Sequence, residues 1–114
     1  FCEKVKHRLQ TKSLRVVGNL SNSVSKVAVC GGAGSDMVLA ACFAGADVLV
    51  TGDVKYHDAE DAKAAGIAVI DAGHFATENL MMPVLARHIE KNTKSLNEDL
   101  KITVYGGEDP FIVL

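Results

Sequence analysis

No stretch of this sequence stays apolar long enough to cross a bilayer; its longest apolar runs fall well short of the ~20 residues that a spanning helix needs. Basic clusters are missing too. With 12 Lys and Arg against 14 Asp and Glu, the net charge is −2, and nucleic acid is not expected as a partner. Cysteine is sparse: Cys2, Cys30 and Cys42 are odd in number and show no C-x-x-C spacing. That argues against a disulfide framework and against a cysteine zinc ribbon. It fits a reducing compartment, and with no signal peptide discernible a cytoplasmic location is expected. Cys30 and Cys42 read as buried structural thiols. What is present is 48% hydrophobic residues in 114, one domain or a piece of a larger protein. A chain of this length can bury roughly two-thirds of the surface its unfolded form exposes. Because it opens on Phe1 rather than Met, a fragment or processed form is expected.

Residues 1–11 carry Val5 and Leu9 among charged residues and predict an amphipathic helix. Residues 14–18 predict a short strand, and the Ser- and Asn-rich stretch 19–25 a surface loop. From Lys26 the pattern is regular. Residues 27–30 predict a buried strand, and Gly31-Gly-Ala-Gly34 a turn into a helix with Ser35 or Asp36 as N-cap. That helix, 37–44, is apolar all round and is expected between layers. A strand over 47–50 leads through Thr51-Gly52-Asp53 to a helix from about Asp58, burying Ala59, Ala62 and Ala65 and closed by Gly66. Residues 67–70 predict the next strand. The last long helix lies within 75–91, with Leu80, Val84 and Ile89 as its inner stripe. Pro83 either kinks it or starts a new helix near Met82. Residues 101–105 predict a strand ended by Gly106-Gly107, and 112–114 a short final one.

Strands alternating with helices predict an α/β fold of three layers, α/β/α, with a mostly parallel sheet of about five strands. Ligands of such sheets bind beyond the carboxyl ends of the strands. Four strands are expected to end in glycine-containing turns on that edge, which would gather Asp53, His57, Asp71, His74 and Glu78.

Each motif on this edge has two readings. Gly31–Ser35 can expose backbone N–H groups to an anion such as phosphate, or be a tight turn that lets helix and strand pack closely. It lacks the third glycine of the dinucleotide fingerprint and the Lys-Ser/Thr of a Walker loop, and the packing reading is preferred. In Thr51-Gly-Asp53-Val-Lys-Tyr-His57, Asp53 can orient a ligand and His57 can shuttle a proton. Alternatively, Asp53 and Asp58 cap the next helix and His57 is a surface residue. His74 and Glu78, four apart on a helical turn, suit an imidazole nitrogen and a carboxylate oxygen sharing a divalent ion. Asp71 is then a candidate to orient the imidazole. The bland alternative is a favourable acid in a helix's first turn beside a hydrogen-bonded histidine. His7 and His88 sit on amphipathic helices and carry no assigned function.

Together, Val27–Ser35, Ala46–His57, Ile70–Glu78 and Asp109-Pro-Phe111 closely resemble the Nif-three-like dinuclear-metal-centre family, whose bacterial members are often called GTP cyclohydrolase type 2 homologues. The motifs stand in the family's order over nearly the whole chain. The resemblance implies two facing α/β halves, with this chain as the C-terminal half: residues 1–25 a connecting helix, strand and loop, and 26–114 the lobe with the metal site. It implies two divalent ions (Zn, Mn or Fe) held by His74 and Glu78, with Glu78 the bridge, together with a His-His pair and an Asp from the other half. Asp53 and His57 would line the same cleft as the catalytic candidates. It further implies homohexamers. No His-His dipeptide occurs in these 114 residues, so the chain alone is expected to hold metal poorly. The function implied is a metal-dependent hydrolase of a nucleotide or related small molecule. The alternative is a non-enzymatic metal-binding adaptor or regulator acting through protein–protein contact, a reading kept alive by the eukaryotic branch, named for its interaction with transcription factors.

Overall fold

Four strands and five helices form where residues 1–94 and 100–113 are described by a computed structural model of the chain. In chain order they are α1 (Cys2–Leu9), β1 (Arg15–Val17), β2 (Val27–Ala33), a 3-10 turn (Ser35–Met37), α2 (Val38–Phe43), β3 (Val48–Gly52), α3 (Tyr56–Ala65), β4 (Ala68–Asp71), α4 (His74–Asn79) and α5 (Met82–Lys94). The sheet order is β1-β4-β3-β2. β2, β3 and β4 are parallel, while β1 lies antiparallel on β4 with Arg15 opposite Asp71.

Layering follows from the alternation of side chains along the central strands. Leu49 of β3 and Val69 of β4 point to one face, where they meet Val38 and Ala41 of α2 and Ala62 of α3. Val48, Val50 and Ile70 point to the other face, onto Val5 of α1. Covered on both faces and flanked by β4 and β2, β3 buries all five of its residues, as expected of a parallel strand with a continuous apolar run. The expected mixed α/β, mostly parallel architecture is observed, with four strands rather than about five.

Several local expectations are corrected. β2 does not stop at Cys30 but runs on through Gly31, Gly32 and Ala33, with a register shift against β3 between Val29 and Ala33. Neither Ser35 nor Asp36 caps the next helical segment. Its N-cap position is Gly34, and the Ser35 hydroxyl instead donates to Asp58 at 2.6 Å. α2 is buried on one side only, with Leu39 and Phe43 exposed. Pro83 starts a new helix: α4 ends at Asn79 and α5 begins at Met82, so the proline stands in a first turn, where its missing N–H costs nothing. The stripe of Leu80, Val84 and Ile89 is exposed, and α5 buries no residue. Residues 101–105 form no strand, and neither do Ile112 and Val113; Leu114 lies outside the described residues. β propensity without a neighbouring edge to supply hydrogen bonds makes no ladder. The radius of gyration, 16.7 Å, exceeds the ~13 Å of a compact domain this long, in keeping with these unpacked segments.

Candidate metal centre

The parallel strands deliver their carboxyl ends to one edge of the sheet, and α4 is laid across it. Gly73, at φ 85, turns the chain from β4 into α4. The crossing is close enough to require glycine beneath it. A Cβ on Gly52 would lie 2.7 Å from His74 N, and one on Gly31 3.0 Å from the Thr77 carbonyl oxygen. The glycine run at the end of β2 thus serves close packing, as preferred, but the helix it admits is α4 rather than the one that follows it. Two of its amides are also spoken for. Gly32 N–H donates to Thr77 Oγ1 at 2.9 Å and Gly34 N–H to Thr51 Oγ1 at 3.0 Å.

His74 and Glu78 face each other one turn apart, with His74 Nε2 3.1 Å from Glu78 Oε2. His74 Nδ1 lies 2.7 Å from Asp53 Oδ2. Asp53, not Asp71, is therefore the group that orients the imidazole. Asp71 has another task. Its Oδ2 accepts from Val54 N–H at 3.0 Å and its Oδ1 from Gly73 N–H at 3.0 Å, while Arg15 Nη2 donates to it as well. The same guanidinium donates to the Val54 carbonyl at 2.8 Å. These bonds pin the residue next to Asp53, which itself adopts a left-handed φ of 54. That conformation is uncommon outside glycine, tolerated by Asp, and concentrated at functional sites.

The Asp53 hydrogen bond raises the His74 pKa above its ordinary value; partial desolvation opposes this, and the charge of Glu78 adds to it. Nδ1 held by a carboxylate leaves Nε2 turned to Glu78, which is how a protein prepares an imidazole to ligate a metal. The donor pair fits such an ion. Bonds of about 2.0–2.1 Å place neighbouring donors roughly 3 Å apart, and His74 and Glu78 match that at 3.1 Å. The surroundings fit as well: a Cβ on Gly32 (φ 66) would meet Glu78 Oε1 at 2.4 Å and His74 Nε2 at 3.2 Å. Only glycine leaves this room. Among the described residues no group of three or more His, Cys, Asp or Glu is placed to hold a metal ion.

Beside the pair opens a cavity of about 870 Å³. Its walls include Asp53, His74 and Glu78 together with the apolar Phe75, Met82 and Phe111. The Asp109-Pro-Phe111 string thus comes to the site, although no strand delivers it. His57 does not join the cluster. It is 91% exposed, 3.6 Å from Glu60, and outside the cavity wall. Asp58, not Asp53, serves the start of α3: it accepts from Lys55 N–H at 3.4 Å and from Ser35, and these bonds lower its pKa. Residues not singled out in the sequence are Arg15, Thr51 and Thr77. Only Thr77 had a legible signal, since three residues after His74 on a helix places it beside the site.

A family model, Duf34/NIF3 (NGG1p interacting factor 3), matches residues 1–110. A Clostridium perfringens protein called GTP cyclohydrolase 1 type 2 homolog is 37% identical over 108 residues, covering 94% of this chain and 40% of that protein. Among solved structures, a Bacillus cereus protein related to NIF3 superposes with a TM-score of 0.93 at 39% identity, over 98% of this chain and 31% of that one. A Staphylococcus aureus protein superposes at 0.82 with 35% identity, over 96% and 36%. The chain thus spans well under half the length of the relatives it matches. With residues 1–110 matched by the family model and nearly the whole chain superposed on solved relatives, the chain belongs to the Duf34/NIF3 family.

Proposed function

We propose that this chain contributes one wall and two donors, His74 Nε2 and the Glu78 carboxylate, to a dinuclear divalent-metal site in a hydrolase of a nucleotide or related small molecule. The observation that carries the reading is the donor pair itself: 3.1 Å apart, backed by Asp53 on the far nitrogen and floored by a glycine whose replacement would push a side chain into Glu78. Bound divalent ions supply charge neutralisation and a nucleophile at neutral pH. The residues of this chain supply position. Asp53 keeps the imidazole in the orientation that frees Nε2, and Glu78, with two oxygens, suits a bridging role. The cavity beside them offers Phe75, Met82 and Phe111 as an apolar wall for a small organic substrate. The name of the Clostridium perfringens relative agrees with hydrolysis of a purine nucleotide.

A second reading, a non-enzymatic metal-binding adaptor, is favoured by the exposed apolar residues Val84, Leu85 and Ile89 of α5 and by the interaction stated in the family's name. One experiment separates the two. The full polypeptide is loaded with Mn²⁺, Zn²⁺ or Fe²⁺, its metal content measured, and a nucleotide panel offered to it and to His74→Ala. Metal-dependent turnover abolished by the substitution supports the hydrolase. Stoichiometric metal without turnover favours the adaptor, and unchanged metal content in His74→Ala overturns the metal assignment.

A further inference from the structure

Resting on that reading of His74 and Glu78, we infer that Thr77 and Thr51 are positioning residues whose buried hydroxyls clamp the Gly32 residue from both sides and so set the gap between the two metal donors. Gly32 lies where the register of β2 on β3 shifts, and its φ of 66 takes it out of strand geometry. A backbone displaced in this way needs other hydrogen-bond partners. Two side chains provide them, alongside the Gly34 N–H, which also donates to the Gly32 carbonyl at 3.0 Å. Thr77 Oγ1 accepts from Gly32 N–H at 2.9 Å, and Thr51 Oγ1 donates to the Gly32 carbonyl at 3.1 Å.

Each hydroxyl is itself anchored. Thr51 Oγ1 accepts from Gly34 N–H at 3.0 Å, and Thr77 Oγ1 lies 2.9 Å from the carbonyl oxygens of both Gly73 and His74, to one of which it donates. Thr51 is fully buried and Thr77 nearly so. The clamp therefore ties the end of β3 and the first turn of α4 to a single residue of β2. That residue is the floor under the pair: a Cβ on it would meet Glu78 Oε1 at 2.4 Å and His74 Nε2 at 3.2 Å. Any rotation of the Gly32 peptide moves the floor, and with it the rotamer open to Glu78. Valine at either position keeps the shape and loses the hydroxyl; serine keeps the hydroxyl and loses a methyl.

The test titrates the full polypeptide and its Thr77→Val and Thr77→Ser variants with Co²⁺ alone, reading the d–d absorption bands, with circular dichroism as the check of folding. The clamp predicts that Thr77→Val stays folded, binds Co²⁺ about 10–100-fold more weakly, the usual penalty for losing a group that supports a metal ligand, and shifts its bands. Thr77→Ser keeps both affinity and bands. A folded Thr77→Val with unchanged affinity and bands overturns the clamp, as does a serine variant as weak as the valine one. Should Thr77→Val not fold, Thr51→Val and Thr51→Ser on the other side of the same residue decide between the same two outcomes. Absence of any cobalt bands in the unsubstituted protein overturns the metal assignment itself, an outcome distinct from a failed clamp.

Discussion

Leu49 on β3 and Leu85 on α5 are the same residue type in equally apolar company, yet Leu49 is 1% exposed and Leu85 47%. β3 has neighbours on both edges and helices on both faces. α5 has an amphipathic pattern of the same clarity, with Val84 and Ile89 on its stripe, and nothing described in this chain to lay it against. Hydrophobic patterning states which face seeks cover; it does not supply the cover. The same holds within the site. Asp71 and Asp53 are both acids at the carboxyl ends of strands. The first is buried under three donors and holds backbone, whereas the second is exposed and holds an imidazole.

The sharpest way to break the first comparison is a pair of truncations. Leu49→Ala is expected to cost about 2–5 kcal/mol, because it leaves a cavity between fully packed layers, while Leu85→Ala in this chain stays within about 0.5 kcal/mol. Urea unfolding of both variants checks this, and equal midpoints would erase the distinction. The second comparison is tested by Asp71→Ala, which leaves the amides of Val54 and Gly73 without their acceptor and is expected to cost about 1–3 kcal/mol. Asp53→Asn, which keeps a residue that tolerates the left-handed φ at an exposed carboxylate, should leave the unfolding midpoint nearly unchanged while weakening metal binding by the full polypeptide about tenfold or more. Thermal melts and Co²⁺ titration read the two effects separately.

A smaller effect separates two glycines. Gly66 ends α3 at φ 76 with open space around it, while Gly106 has open space and no left-handed φ. Gly66→Ala is expected to lose about 1 kcal/mol from backbone conformation alone, and Gly106→Ala nothing measurable, as chemical denaturation would show. The smallest effect is acid-dependent. The amides of Lys26 and Ser25 hydrogen-bond the Asp47 carboxylate and lower its pKa from 3.8. A lowered native pKa adds stability that is complete above the unfolded value and drains away as pH falls through the folded one. The stability difference between the unsubstituted chain and Asp47→Asn should therefore be flat from neutrality to about pH 5 and shrink below pH 4. A difference that grows on acidification would refute the assignment.

Much of the fold was legible because its signals are local. The runs at 47–50 and 67–70 have the length and apolar content of buried parallel strands. The run at 27–30 also forms a strand, but at the sheet edge with Val27 and Val29 exposed rather than buried. Gly45 and Gly66 close helices where left-handed φ angles of 75 and 76 are observed. His74 and Glu78 were legible as neighbours because helical spacing alone brings positions four apart together. The choice of Asp53 over Asp71 as the imidazole's partner was not legible, since both acids end adjacent strands. What separates them is the direction of each side chain, set by Arg15 from a strand 56 residues away in sequence. The glycine run at 31–34 resembled a turn because nothing in its own composition announces that α4, more than 40 residues later, will cross it. Residues 101–105 have a strand's composition without a strand's partner.

The order of the elements, the glycine stops and the one-turn spacing of a histidine and a glutamate were properties of the sequence, because each depends on interactions within a few residues. Which acid faces the imidazole, which glycines lie under a helix and which apolar faces find cover were decided only in three dimensions, because each depends on segments far apart in the chain meeting at one edge of the sheet.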